Sequence, residues 1–157
     1  MMFANYETGF RFGPLGYALV EQRGLVRFKA STYLCIVIFV MRWTQHVRAS
    51  RPVLQSAFDA ANHIGDLQYA AFGCNNLNSD LLFSGDHLPD VQIEAERGLA
   101  FARKAGHGLV VDMIDTQVAL IPMLRGAVPT TQCPLLLPAL GSGRQGQSPR
   151  SDISGPE

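Results

Sequence analysis

Charge is scarce in this sequence, and it has no overall sign. Charged residues make up 17% of the 157 residues, with 13 Lys/Arg against 13 Asp/Glu. Nucleic-acid-binding chains usually carry a clear basic excess, so this balance argues against that role. The balance conceals a division, because residues 1–56 carry seven bases and two acids whereas residues 57–126 carry nine acids and four bases. The division indicates either two halves that attract each other or an assembly surface that is basic at one end and acidic at the other.

Cysteine is also scarce, and the few cysteines are far apart. Cys35, Cys74 and Cys133 form no pair with the spacing of a zinc site. Cys35 lies in an apolar run, which predicts a buried, unreactive thiol. An odd number of cysteines without a secretory signal indicates a reducing, cytoplasmic setting.

Long apolar runs are absent. The most apolar stretch, 33–41, ends at Arg42 after nine residues, whereas a membrane-spanning helix needs about 20. We therefore predict a core helix at this stretch and no membrane partner.

The motifs of common catalytic sites are missing as well. The sequence has no P-loop, no kinase catalytic loop and no His-Glu-x-x-His pair. Residues 141–146 have the form Gly-x-Gly-x-x-Gly, but Pro138 disrupts a preceding strand and no helical pattern follows. Asp112 and Asp115 share one helix face, where solvation is the ordinary role of such a pair. We predict that the chain is not an enzyme and has no catalytic residue, cofactor or metal site.

Helical periodicity dominates the chain up to Gly126. Apolar residues recur every three to four positions over 51–64 and over 88–105, which predicts two helices. Ser50 and Asp86 are the predicted N-terminal caps of these helices. Strand-like alternation is hard to find, so the predicted fold class is all-α.

The end of the chain differs in composition from the rest. Five of the nine prolines follow Gly126, together with a Gly/Ser/Gln-rich run from 141 to 148. Because proline removes amide donors and restricts the backbone, no continuous helix fits here. We therefore divide the chain into a helical-repeat domain, 1–126, and a disordered tail, 127–157.

Five glycines indicate an internal repeat. One and the same interval separates Gly24 from Gly65, Gly65 from Gly106 and Gly85 from Gly126. Two helices of about 15 and 20 residues plus two turns fill this repeat interval of about 41 residues, as in an α-solenoid of tetratricopeptide-like helix pairs. The alternative is an ordinary helical bundle in which the glycine spacing is coincidental.

Three short motifs give the repeat region a family resemblance. They are a Gly-Asp-x-x-Tyr-Ala turn, a Gly-x-x-Leu turn and a Gln-x-x-x-x-x-x-Leu-Arg-Gly helix end. In this sequence they consist of Gly65, Asp66, Tyr69, Ala70, Gly85, Leu88, Gln117, Leu124, Arg125 and Gly126. With these motifs, residues 5–126 resemble the helical-repeat region of large bacterial signalling kinases. Proteins of that family join a serine/threonine-kinase-like domain, an AAA-type ATPase, a tetratricopeptide-like superhelix, a GAF sensor and a histidine kinase.

The resemblance implies a non-catalytic scaffold in signal transduction that couples to flanking kinase or ATPase domains or binds a protein partner. The chain begins with Met1 inside the family pattern and leaves the pattern after Gly126, which indicates a fragment of such a protein. The alternatives are a freestanding tetratricopeptide-like adaptor, an enzyme with an unrecognised site and a truncated gene remnant without selected function. Pro122 weakens the last predicted helix and no capping repeat follows it, so we expect self-association through an uncapped end.

Overall fold

The computed structural model describes residues 6–127, and within this range the chain is almost entirely helical. The elements are α1 (Tyr6–Gln22), α2 (Val26–Ile36), a π-helical turn (Val37–Met41), α3 (Arg42–Thr44), a 3-10 turn (Val47–Ser50), α4 (Arg51–Ile64), α5 (Leu67–Phe83), α6 (Leu88–Lys104) and α7 (Gly108–Leu124). No strand occurs among the described residues, which confirms the predicted all-α class. The predicted tail lies outside the described range, apart from Ala127.

The helices pack mainly on their neighbours along the chain. α1 packs on α2, α4 on α5 and α6 on α7, while α2 also packs on α4, and α5 on α6. Further contacts join α2 with α5 and α5 with α7. α5 therefore lies at the centre of three helix pairs and contacts helices of both outer pairs.

The starts of the helices are evenly spaced along the chain. The second helices of the three pairs begin at Val26, Leu67 and Gly108. The first helices of the second and third pairs begin at Val47 and Leu88, if the 3-10 turn that leads into α4 is included. Both series advance by the repeat interval that relates the turn glycines.

Glycine turns end the helices. The turns after α1, α4, α5, α6 and α7 each contain a glycine with φ between 60° and 74°, a range that favours residues without a Cβ. At the end of α4, the N–H groups of Gly65 and Asp66 donate to the carbonyls of Asn62 and Ala61, which closes the last helical turn. The Asp66 carboxylate accepts a hydrogen bond from the N–H of Tyr69 at 3.2 Å. Asp66 therefore caps α5.

Small side chains lie where the helices approach each other. Ala61, Ala70 and Ala102 are completely buried, and Ala61 and Ala70 pack with Ala30 where α2, α4 and α5 meet. Larger apolar residues fill the remaining space in three clusters. These clusters are centred on Tyr33, Leu34, Val37 and Leu54, on Leu99, Val110 and Ile114, and on Val91 and Ile121.

Both predicted helix caps are wrong. The Ser50 side chain makes no capping hydrogen bond, because its hydroxyl donates to the buried carboxylate of Asp80. Asp86 does not cap α6, because its carboxylate accepts a hydrogen bond from Arg51 instead. In both cases a charged group from another helix replaces the local backbone amide that the sequence pattern suggested.

The apolar stretch 33–41 is only partly buried. Tyr33, Leu34 and Val37 are buried against α4 and α5. Cys35 is exposed, so the prediction of a buried thiol is wrong. Successive residues of a helix turn by about 100°, which points Cys35 away from the side that holds Leu34. None of the helices in 6–127 is long and apolar enough to cross a membrane.

Candidate functional site

Two grooves lie at equivalent places along the helix pairs. The α1–α4 groove, between α1, α2 and α4, is lined in part by Pro14, Tyr17, Ile36 and Val53. The α4–α6 groove, between α4, α5 and α6, is lined in part by Gln55, Phe58, Leu77 and Glu94. Each of these four residues follows its counterpart in the first groove by one repeat interval. The spacing of the helix starts therefore also relates the two grooves.

The size of the grooves limits what they can hold. Their volumes are about 240 Å³ for the α1–α4 groove and about 60 Å³ for the α4–α6 groove. Sites for cofactors and drug-sized ligands typically enclose about 300–1,000 Å³. Grooves of this size suit single side chains of a bound polypeptide.

One thiol lies in the α4–α6 groove. Burial, with a smaller contribution from the negative charge of Glu94, raises the pKa of Cys74 to about 11. Nucleophilic and metal-binding cysteines react as thiolates. At neutral pH Cys74 is therefore a thiol and contributes apolar surface to the groove rather than a reactive group.

A buried ion pair joins the first and second helix pairs. The carboxylate of Asp80 on α5 is fully buried and lies 2.8 Å from the guanidinium of Arg42 on α3. The Ser50 hydroxyl donates to the same carboxylate. Arg42 also donates to the side-chain oxygen of Asn76 at 3.0 Å. The carboxylate and the guanidinium are thus both satisfied, as a buried pair requires.

A second, more exposed cluster surrounds Asp86 after α5. Its carboxylate accepts hydrogen bonds from the Arg51 guanidinium and, at 2.8 Å, from the Ser84 hydroxyl. Arg48 lies 3.3 Å away. The hydrogen bond from Ser84, followed by the positive charges of Arg51 and Arg48, lowers the pKa of Asp86. The arginines of both clusters belong to the basic half of the sequence and the aspartates to the acidic half, as the first interpretation of the charge division requires.

Polar contacts also join the second and third pairs. The side-chain amide of Gln117 on α7 donates to Asn75 at 3.0 Å and to Ser79 at 3.1 Å, both on α5. α5 thus carries polar partners for the helices on both of its sides.

The residues of the three family motifs have structural positions. The motif glycines lie in turns, Asp66 caps α5, and Tyr69 packs against two apolar clusters. Leu88 packs on the cluster around Val91 and Ile121. Leu124 is exposed at the end of α7, and the guanidinium of Arg125 donates to Gln92 at 2.7 Å. These residues lie along the second and third helix pairs, and no single site gathers them.

Groups with catalytic or metal-binding chemistry lie apart from one another. Asp112 and Asp115 are exposed on α7, and Asp115 lies 3.3 Å from Arg103. The His107 ring packs edge-on against Phe72. Within residues 6–127, no group of three His, Cys, Asp or Glu side chains is arranged to hold a metal ion.

The sequence interpretation missed the cluster around Arg42 and Asp80. The uneven charge of the two halves was the one signal for it. That signal does not identify the partners, because they are 38 residues apart and lie on different helix pairs.

Comparison of the chain with protein families, curated proteins and solved structures finds no significant match.

Proposed function

We infer that this chain is a non-catalytic helical-repeat scaffold that binds a protein partner. It consists of three tetratricopeptide-like helix pairs that are related by the repeat interval and stacked as a short α-solenoid. The observation that supports this inference most directly is the spacing of the helix starts, because α5 begins one repeat interval after α2, and α7 begins one repeat interval after α5. Coincidental glycine spacing in an ordinary bundle gives no reason for the first helices of the pairs to follow the same step.

The grooves support binding of a polypeptide. They recur at the repeat interval, and their walls are largely apolar with a few polar groups such as Gln55 and Glu94. Solenoids use such repeated surfaces to bind extended partners, since each pair contributes one similar pocket. The small volume of each groove disfavours a cofactor.

The cellular role rests on the resemblance to large bacterial signalling kinases. In that role the scaffold couples to flanking kinase or ATPase domains in the cytoplasm. The second candidate is a freestanding adaptor that binds its partner along the same two grooves.

A peptide library tests the binding function. Random peptides displayed on phage are selected on the immobilised chain, and the selected peptides are titrated against the wild type and two charge-reversed variants. Glu94→Lys changes the α4–α6 groove, whereas Glu96→Lys changes an exposed residue on α6 that is absent from both groove linings. We expect micromolar binding that Glu94→Lys weakens at least about tenfold and that Glu96→Lys preserves.

Two results would contradict the proposed function. One is a library that yields no enriched peptide, and the other is equal loss of binding in both variants. Circular dichroism of the wild type provides a separate test of the architecture, because a spectrum with little helix would refute the solenoid.

A further inference from the structure

Three phenylalanines at the N-terminal end of the fold are more than half exposed. Phe12, Phe28 and Phe39 are 64%, 55% and 70% exposed. Phe12 and Phe39 border an open apolar groove of about 360 Å³ that also contains Gly16 and Cys35. We call this surface the N-terminal face, and it consists of Phe12, Gly16, Phe28, Cys35 and Phe39.

The corresponding positions in the next helix pair are covered. Ala57 and Asp80, which follow Gly16 and Phe39 by one repeat interval, are completely buried. In that pair the cover is the second helix of the preceding pair, where Val37 packs with Ala57 and Arg42 binds Asp80. The third pair repeats this arrangement in part: Asn78, the counterpart of Val37, lies against Gly98, whereas Phe83, the counterpart of Arg42, is 79% exposed. Among residues 6–127, no helix covers the N-terminal face in the position that α2 and α3 occupy on the second pair.

At the other end of the fold, α7 presents the residues that would make such a contact. Three residues of α7 correspond to residues of the first pair that contact the second pair. They are Asp112, Ala119 and Leu124, which follow Ala30, Val37 and Arg42, respectively, by two repeat intervals. Ala30 and Val37 are buried, whereas Asp112 and Leu124 are exposed and Ala119 is half-buried. We call this surface the α7 face, and it consists of Asp112, Ala119 and Leu124.

The two faces fit each other if the contacts between neighbouring helix pairs of one chain are repeated between the last pair of one copy and the first pair of the next. Ala30 of the first pair packs with Ala70 of the second pair. At the junction between two copies, the corresponding residues are Asp112 of one copy and Lys29 of the next. Val37 packs with Ala57, and the corresponding residues at the junction are Ala119 of one copy and Gly16 of the next. The carboxylate of Asp112 thus meets the ammonium group of Lys29, which also binds Glu21 of its own copy at 2.8 Å, and the small residues Ala119 and Gly16 allow the two helices to approach closely. Asp115 retains its own partner, Arg103, at 3.3 Å.

We propose that a second copy of this chain covers the N-terminal face, with the α7 face of one copy against α1 and α2 of the next. This inference rests on the proposed repeat architecture. The contact is head-to-tail, so each added copy leaves one face of each kind free, and the chains lengthen with protein concentration.

Sedimentation velocity with two blocked variants tests the contact. Phe39→Asp places a charge on the N-terminal face, and Ala119→Arg places a large side chain on the α7 face. The wild type should form oligomers that grow between about 1 and about 100 µM, and each variant alone should stay monomeric in that range. An equimolar mixture should form a one-to-one dimer, because Ala119→Arg retains an intact N-terminal face and Phe39→Asp retains an intact α7 face.

The control replaces an exposed apolar residue that lies on neither face. Ile93→Asp on α6, at a side chain that is 57% exposed, should leave the oligomers unchanged. A wild type that is monomeric throughout the range overturns the inference, as does dimer formation by Ala119→Arg alone, which would indicate a symmetric contact between two N-terminal faces. Circular dichroism shows whether every variant is still helical, and the peptide titration shows whether the grooves still bind. A wild type that is helical and binds peptide but stays monomeric would therefore overturn this inference without overturning the proposed function.

Discussion

The carboxylate of Asp80 and the guanidinium of Arg42 lie 2.8 Å apart, although 38 residues separate them in the chain. Asp80 has no exposed surface, and the Arg42 side chain is 24% exposed. This pair is the most buried ionic contact among the described residues, and it holds the first helix pair against the second.

We predict that Asp80→Ala lowers the free energy of unfolding by about 3 kcal/mol, because it leaves a half-buried guanidinium and the Ser50 hydroxyl without their acceptor. Urea denaturation followed by circular dichroism measures the change. The double variant Arg42→Ala/Asp80→Ala should cost less than the sum of the single variants, since the two groups interact directly.

Asp90→Ala is the matched control for the buried aspartate. Its side chain is 77% exposed and pairs only with His87, at 3.2 Å, so the change should stay below about 0.5 kcal/mol. Equal effects of the two substitutions would show that Asp80 is not buried in the folded chain.

Tyr69 tests the packing between the first two helix pairs. Its side chain packs against the cluster of Tyr33 and Leu54 and against the cluster of Ala30 and Ala61. Tyr69→Ala should therefore destabilise the protein by about 3 kcal/mol through loss of apolar contact and formation of a cavity. Phe83→Ala, at an aromatic side chain that is 79% exposed, should change thermal stability little. A near-neutral result for Tyr69→Ala would place Tyr69 on the surface and contradict the alignment of the helix pairs.

Substitution of alanine for glycine should change the free energy of unfolding in opposite directions at Gly65 and Gly108. Gly65 has a φ of 74° with open space around its Cα, so Gly65→Ala should cost about 1 kcal/mol through backbone strain alone. Gly108 is the first residue of α7, has no positive φ and also has open space. Gly108→Ala should raise stability by about 0.5 kcal/mol, because it restricts the unfolded chain. Urea denaturation measures both changes, and equal signs would contradict the left-handed turn after α4.

Asp86 should make stability depend on pH in the acid range. Folding lowers the pKa of this carboxyl through Ser84, Arg51 and Arg48, so the folded state binds the proton more weakly than the unfolded state. The stabilising contribution is complete above the unfolded pKa of about 3.9 and disappears as the pH falls through the lower folded pKa. The stability difference between the wild type and Asp86→Asn should therefore be larger at neutral pH than under strongly acid conditions. A pH profile of Asp86→Asn that runs parallel to that of the wild type would refute the contact.

The local features of the fold were predictable from the sequence because they depend on nearby residues. Helical periodicity over 51–64 gave α4 with the bounds that the structure has, and proline, glycine and apolar spacing were sufficient for that. The same local reasoning failed at Ser50 and Asp86, where groups from a different helix compete with the backbone for the same side chain. Contacts such as Arg42 with Asp80 depend on how the helix pairs stack, and no spacing within one helix contains that information.

The lining of the grooves could likewise be predicted from the sequence only in part. Phe58 and Leu77 are large apolar residues of a kind that fills the space between packed helices, and both line the α4–α6 groove. Glu94 joins them from the next helix pair. A charged residue in a helical pattern is usually interpreted as part of a solvent-exposed face. The position of Glu94 in the groove therefore cannot be predicted without knowing how the helix pairs pack.

The polar contacts of α5 have a consequence for the order of assembly during folding. Stacked helix pairs of similar shape can dock on the wrong neighbour, because their apolar surfaces resemble each other. If the first pair docked on the third, the Arg42 guanidinium would face Ile121, the residue of the third pair that corresponds to Asp80, and it would be buried without a carboxylate. Because such a buried charge is costly, the first pair is stable against the second pair and not against the third.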